Sequence, residues 1–157
     1  MLEENSDILK KNDGSRASPE SASLHLRLRT LAENRGLELP KDVEVDFRRV
    51  EQVRFVAQDL RSQLPSGIGS LPVRNPGALI ALAYPDRVGR SDRTASGFVL
   101  REGTMCQVKD KALVSEDFLA VARLWGKTPT YIELAAPLSS AVAGRIFLEK
   151  AISGIAS

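Results

Sequence analysis

The sequence is poor in the residues that most often build sites. Its 157 residues include one cysteine, Cys106, and one histidine, His25. A single cysteine excludes an internal disulfide framework and any multi-cysteine zinc site. A single histidine leaves little basis for a histidine-rich metal centre or a histidine-based triad. Aromatics make up only 5% of the chain, with one tryptophan, Trp125. No run approaches the ~18 apolar residues that a membrane span needs. The opening Met1-Leu-Glu-Glu4 is polar and lacks the apolar core of a secretory signal, so a cytoplasmic location is the default expectation. What is present is ordinary for a soluble domain: 43% apolar and 27% charged residues.

The net charge is +2, too small by itself to announce a nucleic-acid binder. Residues 1–75 balance 12 basic against 12 acidic side chains, and 76–157 carry 10 basic against 8 acidic, so the excess of 10 − 8 = 2 lies in the second half.

Residues 1–20 read as a polar lead-in and loop. Leu24, Leu28 and Leu31, with Leu26 alongside, predict an amphipathic helix over about residues 21–34, stopped by Gly36 and Pro40. Val50, Val53, Val56, Leu60 and Leu64 form a longer stripe at helical spacing, with Asp46 as N-cap and Pro65-Ser66-Gly67 as the stop. The expected helical subdomain is therefore 21–66, followed by a Gly/Pro-rich connector over 67–75. Asn75-Pro76 predicts an N-cap and first helical position for a short buried helix, Gly77–Ala83, closed by Pro85. Asp86–Arg93 is a biased, arginine-rich stretch. The hydrophobic period then changes. Gly97–Arg101 and Thr104–Val108 predict a hairpin, and Phe118–Trp125 and Thr130–Leu134 predict two further strands. In Phe118–Trp125, alternation places Leu119, Val121, Arg123 and Trp125 on one side, with burial expected on both faces. Residues 138–153 predict a terminal helix, with Ser139 as cap. Helices first and strands second define an α+β chain. The expectation is an N-terminal helical subdomain, then a β subdomain over 76–157. That subdomain would be a small antiparallel barrel or sheet, complete or incomplete, with flanking helices.

Few patterns carry chemistry. Gly126-Lys127-Thr128 resembles the end of a phosphate loop, but the glycine required five positions earlier is Val121, and a strand rather than a helix follows. Gly67-Ile-Gly69 lacks the third glycine of a dinucleotide fingerprint, because position 72 is Pro. Cys106, inside an expected strand, reads as a packed thiol, and His25 as a helix residue. No carboxylate pair marks a catalytic site. The remaining candidates are basic: Arg87, Arg90 and Arg93 in the biased stretch, Arg101 on the next strand, and Lys109 and Lys111 after the hairpin. Guanidinium forks and ammonium groups grip phosphate oxygens. The rival reading is a solvated loop whose arginines pair with Asp86 and Asp92. Tyr84, Phe98, Trp125 and Tyr131 are the aromatics available for base stacking, with core positions expected for most of them.

Three segments carry a family resemblance: Ala81-Leu-Ala-Tyr-Pro-Asp-Arg-Val88, Phe118-Leu-Ala-Val-Ala-Arg-Leu124 and Ile132-Glu-Leu-Ala-Ala-Pro-Leu138. Together they resemble the C-terminal part of HrpB-type helicases of the ATP-dependent DExH/DEAH-box group. Leu24–Leu31 and Arg48–Arg54 are similar to the closing helices of that family's ratchet-like domain, so the resemblance covers nearly the whole chain. Two departures stand out. The family's Asn-Gly-Arg-Gly turn is Arg101-Glu-Gly-Thr104 here, and a strand-initial Trp is Phe118. The phosphate loop, the DExH motif and the arginine finger, all motor-domain features, do not occur. The resemblance implies a non-catalytic accessory region with an oligonucleotide-binding-like (OB-like) barrel. Its partners would be single-stranded RNA or DNA and helicase motor domains, in cis or in trans. ATP and Mg would belong to those motor domains, with no cofactor in this chain and no membrane partner. Arg87 is the one candidate on a matched motif position. The alternative is a scaffold that docks on motor domains without appreciable nucleic-acid affinity.

Overall fold

The computed structural model describes residues 7–13, 21–33, 37–65, 75–93 and 97–155, with side chains to residue 148. The chain divides into two compact units. One comprises residues 1–19 and 25–74, the other residues 20–24 and 75–157. The predicted connector lies almost wholly outside the described residues.

The first unit mixes helix and strand. Strand β1 (Leu9–Lys11) pairs antiparallel with β2 (Val43–Val45), in register Leu9 with Val45. The expected polar lead-in therefore supplies a strand: Ile8 and Leu9 are buried in the core, while Lys10 is exposed. Helix α1 (Leu24–Ala32) and helix α2 (Phe47–Ser62) complete the unit. Ile8, Leu9, Val43 and Val50 form its core, with Leu26, Leu31, Leu39, Val45 and Val53 packed around them. Asp46 caps α2 by accepting from the Arg49 backbone N–H at 3.1 Å. The buried face of α1 differs from the predicted Leu24/Leu28/Leu31 stripe. Leu28 is exposed, while Arg27 and Thr30 are buried. Arg27 is admitted because its guanidinium meets the Asp7 carboxylate, with Nε 3.0 Å from each oxygen. The α2 stripe also divides: Val50 is buried and Val53 packs on the core, but Val56, Leu60 and Leu64 are exposed.

The second unit is a closed five-stranded barrel. It comprises β3 (Val88–Asp92), β4 (Gly97–Leu100), β5 (Met105–Gln107), β6 (Phe118–Trp125) and β7 (Thr130–Pro137), in the order β3-β4-β5-β7-β6. All neighbours are antiparallel except β5 and β7, which are parallel. The barrel is thus complete, and one of its pairs departs from the expected antiparallel pattern. Short helix α4 (Lys111–Val114), capped by Asp110, connects β5 to β6. Helix α3 (Pro76–Ala83), capped by Asn75, and a 3-10 turn (Pro85–Arg87) lead into β3. Helix α5 (Ser140–Ile155) follows β7. Residues 20–24 belong here: Ala22 is in the barrel core, and the Ala135 N–H donates to its carbonyl at 2.9 Å.

The arginine-rich stretch is a strand rather than a loop. Val88 and Gly89 are buried, Arg90 points out, and both edges are hydrogen-bonded, to β4 and to β6. The glycine that weakens the strand signal sits tightly against the barrel interior. A Cβ on Gly89 would lie 3.3 Å from both Leu100 Cδ2 and Phe98 Cβ. The barrel interior holds Phe98, Leu100, Cys106, Leu119, Val121 and Ile132, and a second cluster of Ala81, Val88, Ala120, Leu138, Ala143 and Ile146 joins α3 and α5 to the outer side of β3 and β6.

Candidate nucleic-acid interface

The sequence-predicted cations differ in their surroundings. Arg101 has a side chain only 14% exposed and pairs with Asp86 at 3.2 Å. Arg87 donates to the Ala122 carbonyl at 3.2 Å and stacks 5.0 Å from the Tyr84 ring centroid. These contacts pin the 3-10 turn to the barrel. Arg93 pairs with Asp117 at 3.1 Å while its side chain stays open to solvent. Arg90 is exposed on the outer face of β3, in register with Val99 of β4, which is in turn in register with the exposed Met105 of β5. Lys109 and Lys111 are exposed beside the end of β5. The stretch thus separates into anchors, Arg87 and Arg101, and outward cations, Arg90, Lys109 and Lys111.

The structure also assembles a surface that alternation hides. The β6–β7 register shifts between Val121 and Arg123 and again between Arg123 and Leu124. On β7, Ala135 and Ile132 both belong to the core although three positions separate them. On β6, Val121 is in the core and Leu124 packs against it. The irregularity therefore changes which parity faces inward. Beyond it, Trp125 and Tyr131 pair across the strands and face out, with Trp125 63% exposed. Trp125 thus leaves the Leu119/Val121 face on which alternation places it. Their rings lie 6.1 Å apart at 34°. Lys109 Nζ sits 4.9 Å from the Tyr131 ring centroid, within cation–π range. Gln107, also exposed, is in parallel register with Tyr131. Exposed Lys127 occupies the turn joining β6 to β7. Gly126 takes φ +82° there, and the Thr130 hydroxyl donates to the Lys127 carbonyl at 3.2 Å. A side chain at 126 would bring a Cβ within 2.6 Å of the Pro129 carbonyl oxygen, so glycine is built into this turn. Gly126-Lys127-Thr128 is therefore a strand-to-strand turn.

Cys106 is fully buried in the barrel core. Burial, and secondarily the Glu102 carboxylate, raises its thiol from 9.0 to about 11. The neutral thiol is the form the barrel favours, so its contribution to stability is intact below about pH 9 and declines between about pH 9 and 11. At pH 7.5 the folded chain is expected to resist iodoacetamide while urea-unfolded chain reacts readily, as mass spectrometry would report. Equal modification of both would contradict this burial. Among the described residues, no group of three or more His, Cys, Asp or Glu is placed to hold a metal ion. No described helix is long and apolar enough to cross a membrane.

No family model, curated protein or solved structure matches this chain.

Proposed function

We propose that this chain is a single-stranded nucleic-acid-binding accessory module, without catalytic activity of its own, related to the C-terminal region of HrpB-type helicases. The observation that carries the reading is the barrel with its outward cations. A closed five-stranded barrel, with three consecutive strands followed by a return through non-consecutive neighbours, is OB-like. Barrels of that type bind oligonucleotides across the face of their second and third strands and the adjacent loops. Here those strands are β4 and β5, with Val99, Met105 and Gln107 on the outer face, Arg90 beside them and Lys109 at the strand end. Arg90, Lys109 and Lys111 would meet phosphates, whereas Arg87 and Arg101 hold the barrel's entry turn. ATP and Mg would belong to motor domains acting in cis or in trans, at a cytoplasmic location.

The test is oligonucleotide affinity as a function of salt. Oligo(U) binding should weaken steeply as salt rises. Arg90→Ala with Lys109→Ala should lower the slope of log K against log salt by about 1.4, at ~0.7 per phosphate on a single strand. Binding with an unchanged slope would remove both residues from the interface. No binding at low salt by folded chain, or ATP hydrolysis by this chain alone, would overturn the reading.

The second reading is a scaffold that docks on motor domains, with little strand affinity. It is favoured by α2, where Phe55, Val56 and Leu60 are 74%, 54% and 58% exposed. Contiguous exposed apolar surface of this kind marks interaction sites.

A further inference from the structure

We propose that Trp125 and Tyr131 form a stacking platform for an unpaired base, with Lys109 and Lys127 flanking it to receive the strand's phosphates. The proposal rests on the single-strand-binding reading and gives it a particular subsite. Cross-strand pairing fixes the two rings, and the register shift in β6 and β7 turns both outward. Trp125 is 63% exposed, although indole surface in water is unfavourable and this chain has one tryptophan to place. The Lys109 ammonium lies over the Tyr131 ring, 4.9 Å from its centroid, which orders that ring, sets a positive charge beside the pair and leaves the exposed Trp125 as the main stacking face. Lys127 sits in the adjoining turn, whose path is fixed by Gly126 and by the Thr130-to-Lys127 hydrogen bond. The nearest carboxylate along β7, Glu133, lies 3.7 Å from the Arg123 guanidinium, which offsets its charge. An exposed aromatic face with cations on neighbouring residues matches the two parts of a nucleotide, its base and its phosphate. Every base has a face to stack, so recognition here would be sequence-tolerant and selective for single strands over duplexes.

The experiment uses the whole chain with oligo(U) of about 15 nucleotides, long enough for one OB-type site. Because Trp125 is the sole tryptophan, its fluorescence reports this position alone. Oligo(U) should quench it, saturating at the concentration at which the anisotropy of a labelled strand saturates. Trp125→Ala should weaken binding about 5- to 150-fold at fixed salt. It should leave the salt slope unchanged, since a neutral side chain releases no counterions. Trp125→Phe should retain most of the affinity. A duplex of the same length should quench little. Circular dichroism checks each variant's fold, and should Trp125→Ala fail to fold, quenching in the parent chain and the affinity of Trp125→Phe decide. Salt-sensitive binding with no quenching, and with Trp125→Ala as tight as the parent, would overturn the platform and leave the binding reading standing. Absence of any oligonucleotide binding would overturn both.

Discussion

Asp7→Ala is expected to destabilise the first unit by about 3 kcal/mol, the cost of removing one partner from a largely buried ion pair. Arg27 is 8% exposed, and its Nε and Nη2 both reach the Asp7 carboxylate. Asp7 also accepts from the Leu9 backbone N–H at 3.2 Å, fixing the start of β1. The substitution therefore deprives a buried guanidinium of its counter-charge and loosens the strand that lines the same core. Replacing the pair together, Asp7→Ala with Arg27→Met, should recover part of the loss, because the remaining side chain no longer has to be desolvated as a charge. Urea unfolding followed by amide exchange at Val43–Val53 measures both. A loss below about 0.5 kcal/mol for Asp7→Ala, the range of an exposed pair, would show that the pair contributes little to this unit.

Phe98→Ala should cost the barrel about 3–5 kcal/mol. Phe98 is 1% exposed, and its register partners are Ser91 on β3 and Cys106 on β5. Its Cβ and Leu100 crowd the space over Gly89. Truncation would leave a cavity inside the barrel, behind the outer face of β4 and β5 proposed to bind nucleic acid, and backbone on both sides resists its collapse. Phe98→Leu, which keeps most of the volume, should lose much less. The readout is amide protection in β3, β4 and β5. Wild-type-like protection in Phe98→Ala would mean that the barrel does not depend on this ring. A loss confined to the barrel, with Val43–Val53 unaffected, would match two units that each have their own core.

The contrast between these two positions shows what alternation and periodicity make legible. The α2 helix, its Asp46 cap, the Asn75-Pro76 helix start and the β4–β5 hairpin were all readable, because each rests on local chemistry: a side-chain cap, a proline at the first turn, a two-residue period. Strand β3 was not. Its Gly89 and Arg90, flanked by Arg87 and Arg93, carry a loop composition, and only neighbours on both edges make it a strand. Strand β1 was hidden for a related reason, since a three-residue strand gives too short a pattern. Burial of Arg27 was invisible because it depends on a carboxylate 20 positions away.

The candidate surface divides in the same way. Arg90, Lys109 and Lys111 are exposed where their charge leads one to expect them. Arg87 and Arg101 carry the same charge, but packing spends them on Ala122, Tyr84 and Asp86. Trp125 shows the converse: its place in an apolar run predicts the core, and the register shift delivers it to the surface.

The sequence alone determined the α2 and α3 helices with their caps, the β4–β5 hairpin, the absence of cysteine or histidine clusters, and the location of the net positive charge, because these follow from residue identity and short-range spacing. The tertiary structure decided that the strands close into a barrel, which arginines are anchors, and that an aromatic pair faces outward. Those outcomes depend on hydrogen-bond register and counter-charges between residues far apart in the chain, which no local pattern encodes.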